Sequence, residues 1–398
     1  MDEINAQLVL DGLSGDTDYD VALPATFGIP DLVGAGVIQP LTSFAQMHEP
    51  PGFRDEILFT IGDTFDGEIY GFQCDGDTYV MFYNSLMMED PAEQAAYSDR
   101  FGRALDVPST WAELDQQMAF FHRPDHNTFG GALFRTPSYL AWEWWARFHS
   151  KGTWPFSEDF QPQLVSDAGI SALEEMIRAT EHLHPSVHSA GLFDNWQHYA
   201  KGNIYANIGW GGSQKYLNRA DSKMRGNMRF GMLPCGGANP DLPGMPYFNW
   251  GWNYVVTTAS KQPMVAYLFS LFASTSEMST LSVQQRAGFL DPFRSEHYED
   301  PVIQDIYSPE FLEVHEKSLK SSIPDLYIAK QGEYFGVLSE ALDSALSGRT
   351  KPEDALKRVE VQWDILSLRA GREEQMFRWR ELRAKYPDAA RRSLQDLS

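Results

Sequence analysis

The chain has only two cysteines in 398 residues, Cys74 and Cys235. That is too few for a disulfide scaffold or a cysteine-built metal framework, and two free buried thiols are the expectation. No run of about 18 apolar residues occurs, so no membrane-spanning helix is expected. Basic residues are scarce: 32 Lys and Arg stand against 55 Asp and Glu, for a formal net charge of −23. A surface of that sign repels phosphate backbones and anionic lipid, which argues against nucleic-acid binding. The opening residues Met1-Asp2-Glu3-Ile4-Asn5 hold neither a basic nor an apolar stretch, so no secretion signal is read in them. The common catalytic signatures are missing too. There is no phosphate-binding G-x-x-x-x-G-K-S/T loop, no dinucleotide fingerprint and no G-x-S-x-G elbow.

What is abundant is aromatic side chain. Eleven Trp, 17 Tyr and 25 Phe make up 13% of the chain, within a hydrophobic share of 43%. A chain of this length can build two domains with separate cores. Part of the aromatic content fills those cores, and part is raw material for a stacking pocket.

Apolar strands alternate with amphipathic helices, which predicts an α/β architecture. Tyr19 to Leu23 reads as a first strand, ended by Pro24, and a short helix follows from Asp31, stopped by glycine and proline. Thr78 to Tyr83, β-branched and aromatic, predicts a buried strand. Thr110-Trp111-Ala112-Glu113 is a capping box at a helix start. Asp167 to His182 and Asp194 to Lys201 read as helices, and Ile204 to Trp210 and Asn253 to Thr258 as strands. Ser260 is expected to cap a deeply buried helix through Phe272. Pro352 to Arg369 places Leu356, Val359, Trp363 and Leu366 on one helix face, and helical character continues from Arg372 to Tyr386.

Two motifs invite chemistry. His122 and His126 have the spacing of a zinc helix, but Pro124 between them breaks such a helix and favours a surface loop. The histidine-rich Glu181 to His188 likewise reads as a solvated turn. No metal and no cofactor is expected. Asp75 and Asp77 are alternate residues beside a strand and point to one side. They are open to three readings: a glycosidase carboxylate pair, acceptors for sugar hydroxyls, or turn residues around Gly76.

Several segments together resemble the extracellular solute-binding proteins of ABC importers, in the carbohydrate-binding group related to maltose-binding protein. Tyr19-Asp20-Val21 followed by Gly36-Val37-Ile38-Gln39-Pro40-Leu41 is similar to that family's early strand and helix. Gly67-Glu68-Ile69-Tyr70-Gly71-Phe72, then Phe82-Tyr83-Asn84, resembles its crossing strand, with Gln73 and Cys74 where proline is common. Pro108 to Glu113, Phe193 to Gly202 with Ile208-Gly209-Trp210, Asn249 to Trp252 with Ser260-Lys261, Asp291 to Ser295, and Ser347 to Leu356 match further motifs in order.

The resemblance implies two α/β lobes in the type II periplasmic-binding-protein fold, joined by crossing strands near Asp77 to Asn84, Thr257 to Gln262 and Lys317 to Pro324. Residues 1–80 and 262–316 would form the N-terminal lobe and 85–257 and 324–398 the C-terminal lobe. The family's first strand region would lie ahead of Tyr19, where this chain has 18 residues. The implied function is capture of a sugar in the cleft and delivery to ABC permease transmembrane subunits, by a periplasmic monomer that is not an enzyme. A sugar site stacks aromatic rings on C–H faces and meets hydroxyls with charged or amide groups. Carried over, Trp210 is the first stacking candidate, then Trp250 and Trp252. Asp75 and Asp77 accept hydroxyls, and Arg294 either donates to one or holds the lobe by an ion pair. Tyr139 or Trp142 touches the ligand from an aromatic-rich helix, Tyr327 and Tyr334 close the cleft, and Phe27 lines the first lobe. Trp111 and Trp363 are assigned to structure. The rival readings are a polyol, amino-sugar or peptide in the same fold, and a glycosidase using Asp75 and Asp77.

Overall fold

A computed structural model describes residues 3–14, 19–236 and 244–397. Two small sheets organise them. In the first, Val21–Ala22, Asn253–Val256 and Gly71–Gln73 lie side by side and antiparallel, with Val21 opposite Val256 and Asn253 opposite Gln73. In the second, the order is Phe129–Ala132, Ile204–Gly209, Val80–Asn84, Met228–Gly231. Val80–Asn84 runs antiparallel to both neighbours, and Phe129–Ala132 runs parallel to Ile204–Gly209. The chain crosses directly from the first sheet to the second between Gln73 and Val80. All five residues of Val80–Asn84 are buried, as its unbroken apolar and aromatic run predicts for a central strand.

Local signals hold where they are strong. Thr110 caps Trp111–Phe121: its Oγ1 accepts from the Glu113 amide at 3.1 Å, and Glu113 accepts in return from the Thr110 amide. Ser166 caps Asp167–Thr180 with one bond, its Oγ accepting from the Gly169 amide at 3.2 Å. Pro352–Arg369 buries Leu356, Val359, Trp363 and Leu366. Pro124–His126 is a 3₁₀ turn with no buried residue, in keeping with a loop around His122 and His126. Cys74 and Cys235 are buried and unpaired.

Three expectations on the architecture need correction. The strand Asn253–Val256 belongs with the first sheet, so the chain returns before Asn253 and not through 257–262. The bridge Ala25 to Trp252 and the parallel pairing of Tyr247–Phe248 with Ile323–Pro324 mark that return. Helix Pro309–Ser321 packs against Met228–Gly231 and Val80–Asn84, so residues 309–316 lie with the second sheet. The third correction concerns the helix after Ser260. It runs Pro263–Ala273 without a side-chain cap, and Ser260 Oγ is bonded to Asp20 instead. That helix covers the first sheet with its buried residues Ala266, Tyr267 and Ser270, helped by the half-buried Leu271. Val265, Leu268, Phe269 and Phe272 are exposed on its other side. An apolar sequence all round predicts burial all round, but this helix has a neighbour on one face only.

Among the described residues no helix is long and apolar enough to cross a membrane.

Candidate functional site

A cavity of about 590 Å³ is lined from the ends of strands in both sheets and from the segments that join them. Leu23 follows the first strand, and Asp77 lies on the crossing. Trp210 and Gly212 follow the strand Ile204–Gly209. Trp250 and Trp252 come from the returning segment, and Tyr139 from the helix Pro137–His149.

Trp210 is held from several directions. Its backbone caps the helix Gly211–Leu217, with Ser213 Oγ accepting from the Trp210 amide at 3.2 Å. Its indole Nε1 donates to Asn249 Oδ1 at 2.9 Å. Gly211 is required here, because a Cβ would collide with the Asp291 carboxylate. Trp250 meets Trp210 edge-on at 5.4 Å between ring centroids, and Trp252 follows Trp250 at 6.0 Å. The turn between those two indoles needs Gly251, whose φ is +66° and whose missing Cβ leaves room for Phe248 and Thr26. Tyr79 packs on Trp210 at 4.7 Å from behind. The result is an aromatic wall with rings at different tilts, suited to grip a flat-faced guest. Trp250 Nε1 is buried and has no partner among the described residues.

The acidic end is a cluster. One oxygen each of Asp75, Asp77 and Asp291 lies within 4.8 Å of the others, and all three residues are buried. Asp75 Oδ1 accepts from the amides of Gly76 and Asp291, while its Oδ2 finds no donor among the described residues. Asp291 accepts from Tyr307 Oη and from the Gly212 amide, both at 2.9 Å. Asp77 accepts from the Gly251 amide at 3.3 Å. Burial pushes the Asp77 carboxyl well above the usual range, and the negative neighbours Asp75 and Asp291 push the same way. Asp75 is raised by burial and then by Asp291, and Asp291 by burial against the pull of Lys215. Lys215 is the near cation, but its Nζ donates to the carbonyls of Gln285, Gly288 and Leu290. No metal centre is assigned to the cluster, since amides and the Tyr307 hydroxyl already occupy several of its oxygens.

The cavity therefore gathers Trp210, Trp250, Trp252, Asp77 and Tyr139 from the expected set. Asp75 is fully buried and does not line it, so the two carboxyls do not flank a common space as a glycosidase pair must. Trp142 stands behind the wall, 6.1 Å from Trp210 and 5.6 Å from Trp250, and faces a second cavity of about 440 Å³ with Phe27 and Phe335. Arg294 lies elsewhere. Its Nη2 donates to the Ser274 carbonyl at 2.6 Å and its guanidinium sits over Phe53, so it braces the first lobe through carbonyls and rings and not through an ion pair. Tyr327 is buried and lines a separate cavity with Phe65 and Arg378, and Tyr334 is bonded to Ser367 in the core. Both were expected at the cleft. They follow the last crossing, but packing turns them away from the main cavity.

Residues that sequence reasoning did not single out complete the cavity. Phe193 and Trp196 project from the helix Leu192–Tyr199, and Phe289 meets both from the loop before Asp291. The i, i+3 spacing of Phe193 and Trp196 was a readable signal for a shared face. Phe289 carries no such signal, because its neighbours are far away in sequence.

The model of the family described as bacterial extracellular solute-binding protein matches residues 1–306. The chain belongs to this family. A search of curated protein sequences finds no match. Among solved structures, this solute-binding protein is similar to maltose-bound MalE3 of T. maritima, with a TM-score of 0.75 and 18% identity over 91% of this chain and 88% of that one. A ribitol-bound ABC transporter solute-binding protein of Agrobacterium radiobacter K84 gives a TM-score of 0.77 at 18% identity, covering 92% and 89%. A D-mannitol-bound one of Agrobacterium vitis S4 gives 0.74 at 17%, covering 93% and 90%. At such identities the likeness establishes the two-lobe periplasmic-binding-protein fold. The family and these neighbours are binding proteins.

Proposed function

We propose that this solute-binding protein captures a sugar in the cavity between its lobes and delivers it to the transmembrane subunits of an ABC importer. It acts outside the cytoplasmic membrane, as a periplasmic monomer, without turning its ligand over. The observation that carries the reading is the wall of Trp210, Trp250, Trp252 and Tyr139 closed at one end by Asp77. Indole faces pack on the C–H faces of a pyranose, and a carboxylate makes the stronger kind of hydrogen bond to its hydroxyls. A volume of about 590 Å³ is in the range of small-molecule sites. The maltose, ribitol and mannitol held by the similar proteins make a polyhydroxylated guest the natural class.

The test is a panel of mono- and disaccharides and polyols, read by thermal shift and by Trp fluorescence. At least one should raise the melting temperature and alter the emission, with the guest recovered unchanged. Trp210→Ala should weaken that binding about 30-fold or more, as the loss of a buried aromatic anchor does. A panel that leaves both signals flat would remove the sugar assignment. Appearance of a hydrolysed product would remove the claim that no chemistry occurs.

A further inference from the structure

The cavity has one charged side chain among its described lining residues, and it is Asp77. No Lys, Arg or His shares the lining. Behind Asp77 stand two more carboxylates, Asp75 and Asp291, within 4.8 Å. Among the described residues their near cation, Lys215, points its hydrogen bonds at backbone carbonyls. The same cavity is lined by three indoles held at different angles, and Asp77 accepts from the Gly251 amide between two of them. Aromatic faces attract cations through the ring quadrupole, most strongly where water is excluded. A neutral sugar would use the rings but would offer these carboxyls no cation.

We propose that the captured carbohydrate carries a positively charged amino group, seated between Asp77 and the rings of Trp210, Trp250 and Trp252. The proposal rests on the reading of the cavity as a sugar site. It names the class of sugar: an amino sugar with its nitrogen free.

A proton-linked signature follows. Burial and mutual repulsion hold the carboxyls of the cluster above their usual range, which favours their protonated forms. An ammonium beside Asp77 favours the ionised carboxylate and expels a proton. Other titratable groups near Asp77 do not supply that proton. Burial holds Cys74, Tyr79 and Tyr307 far up in their neutral forms. Burial also lowers His315, bonded to the Gly76 carbonyl, to about 4, so it is neutral above that. Burial lowers the Lys215 ammonium from its ordinary value, against the pull of Asp291 and Asp75, while its Nζ donates to backbone carbonyls. Affinity for the amine therefore rises with pH until the cluster is ionised.

The experiment is calorimetric titration of the full chain with the disaccharide of glucosamine, its fully N-acetylated form, and cellobiose. It is run between about pH 5 and about pH 6, below the titration of amino-sugar amines, which lies under that of an α-amino group, in two buffers of different ionisation enthalpy. The free amine should bind at least about tenfold tighter than either neutral sugar. Its heat should differ between buffers by close to one proton released, and in Asp77→Asn its advantage should shrink towards one. If Asp77→Asn does not fold, the proton count on the unmodified protein decides, and an amine that binds without releasing a proton overturns the proposal. Neutral sugars binding as tightly as the amine overturn the proposal and leave the sugar reading standing. A failure of all three sugars together with the wider panel overturns both.

Discussion

Two groups of buried carboxylates in this molecule face opposite electrostatic conditions. Glu143, on the helix Pro137–His149, is as buried as Asp75 or Asp77. Burial pushes its carboxyl up, but Arg135 and Arg147 more than reverse that and leave it below the usual range. Arg135 Nη1 reaches it at 2.6 Å and Arg147 Nε at 2.9 Å, while Arg147 is bonded in turn to Asp115 at 2.9 Å. Arg147 also lies over Trp111, 4.2 Å from the ring centroid. Every charge there has a partner of opposite sign. At Asp75, Asp77 and Asp291 the like charges face each other instead, and all three carboxyls are raised. A closed network of the first kind serves the fold. A cluster of raised carboxyls beside a cavity is the pattern that ligand sites favour.

The comparison can be broken most sharply at Glu143. Glu143→Gln removes the carboxylate that Arg135 meets and one of those around Arg147, which keeps Asp115, and should cost about 3–5 kcal/mol of stability in urea unfolding. A cost below about 1 kcal/mol would mean that the network is no tighter than a surface one.

The next test reads the sign of the pH dependence. Glu143 has a lowered carboxyl, so its stabilisation is present above its ordinary value and fades on acidification. Raised carboxyls act in the other direction. Asp325, close to Trp142, is pushed by burial up to about 7 from an ordinary 3.8. Its contribution is complete below the ordinary value and is lost as pH climbs through about 7. Between about pH 5 and about pH 7 it should lower stability by about 2 kcal/mol. Asp325→Asn should flatten that share of the slope in denaturation curves taken across the range. An unchanged slope would show that Asp325 is ionised throughout.

The smallest effect concerns a satisfied acid near the surface. Glu113 closes the capping box with Thr110 and accepts from Ser109 at 2.8 Å. Thr110→Ala should cost about 1 kcal/mol, visible as a small drop in melting temperature with ligand affinity unchanged. A loss as large as that of Glu143→Gln would mean that partner chemistry, and not burial, sets the scale.

How much of the site was legible follows from how local each signal is. Trp210, Trp250 and Trp252 could be singled out because they sit in short motifs at strand ends, where a strand stops and its last side chain meets open space. Arg294 sits in a motif of the same kind, yet its partners are the carbonyls of Ser274 and Phe53. Tyr327 has the right neighbours in sequence and faces the wrong cavity. Phe289 was invisible because it gains its role only by meeting Phe193 and Trp196, nearly a hundred positions earlier. The helix Pro263–Ala273 failed for a related reason. Its composition reports apolarity, but not whether a second surface exists to cover it.

The sequence by itself determined the class of the chain, a buried strand beginning near Thr78 and running to Tyr83, the capping box at Thr110, and the acidic and aromatic character of any ligand site. Those properties depend on residue type, spacing and hydrogen bonds within a few positions. Only the tertiary structure decided that Asp77 borders the cavity while Asp75 lies behind it, that Asn253–Val256 returns to the first sheet, and that Arg294 braces a lobe. Each of those outcomes depends on which surfaces meet across long stretches of chain, and residue spacing along the sequence does not encode them.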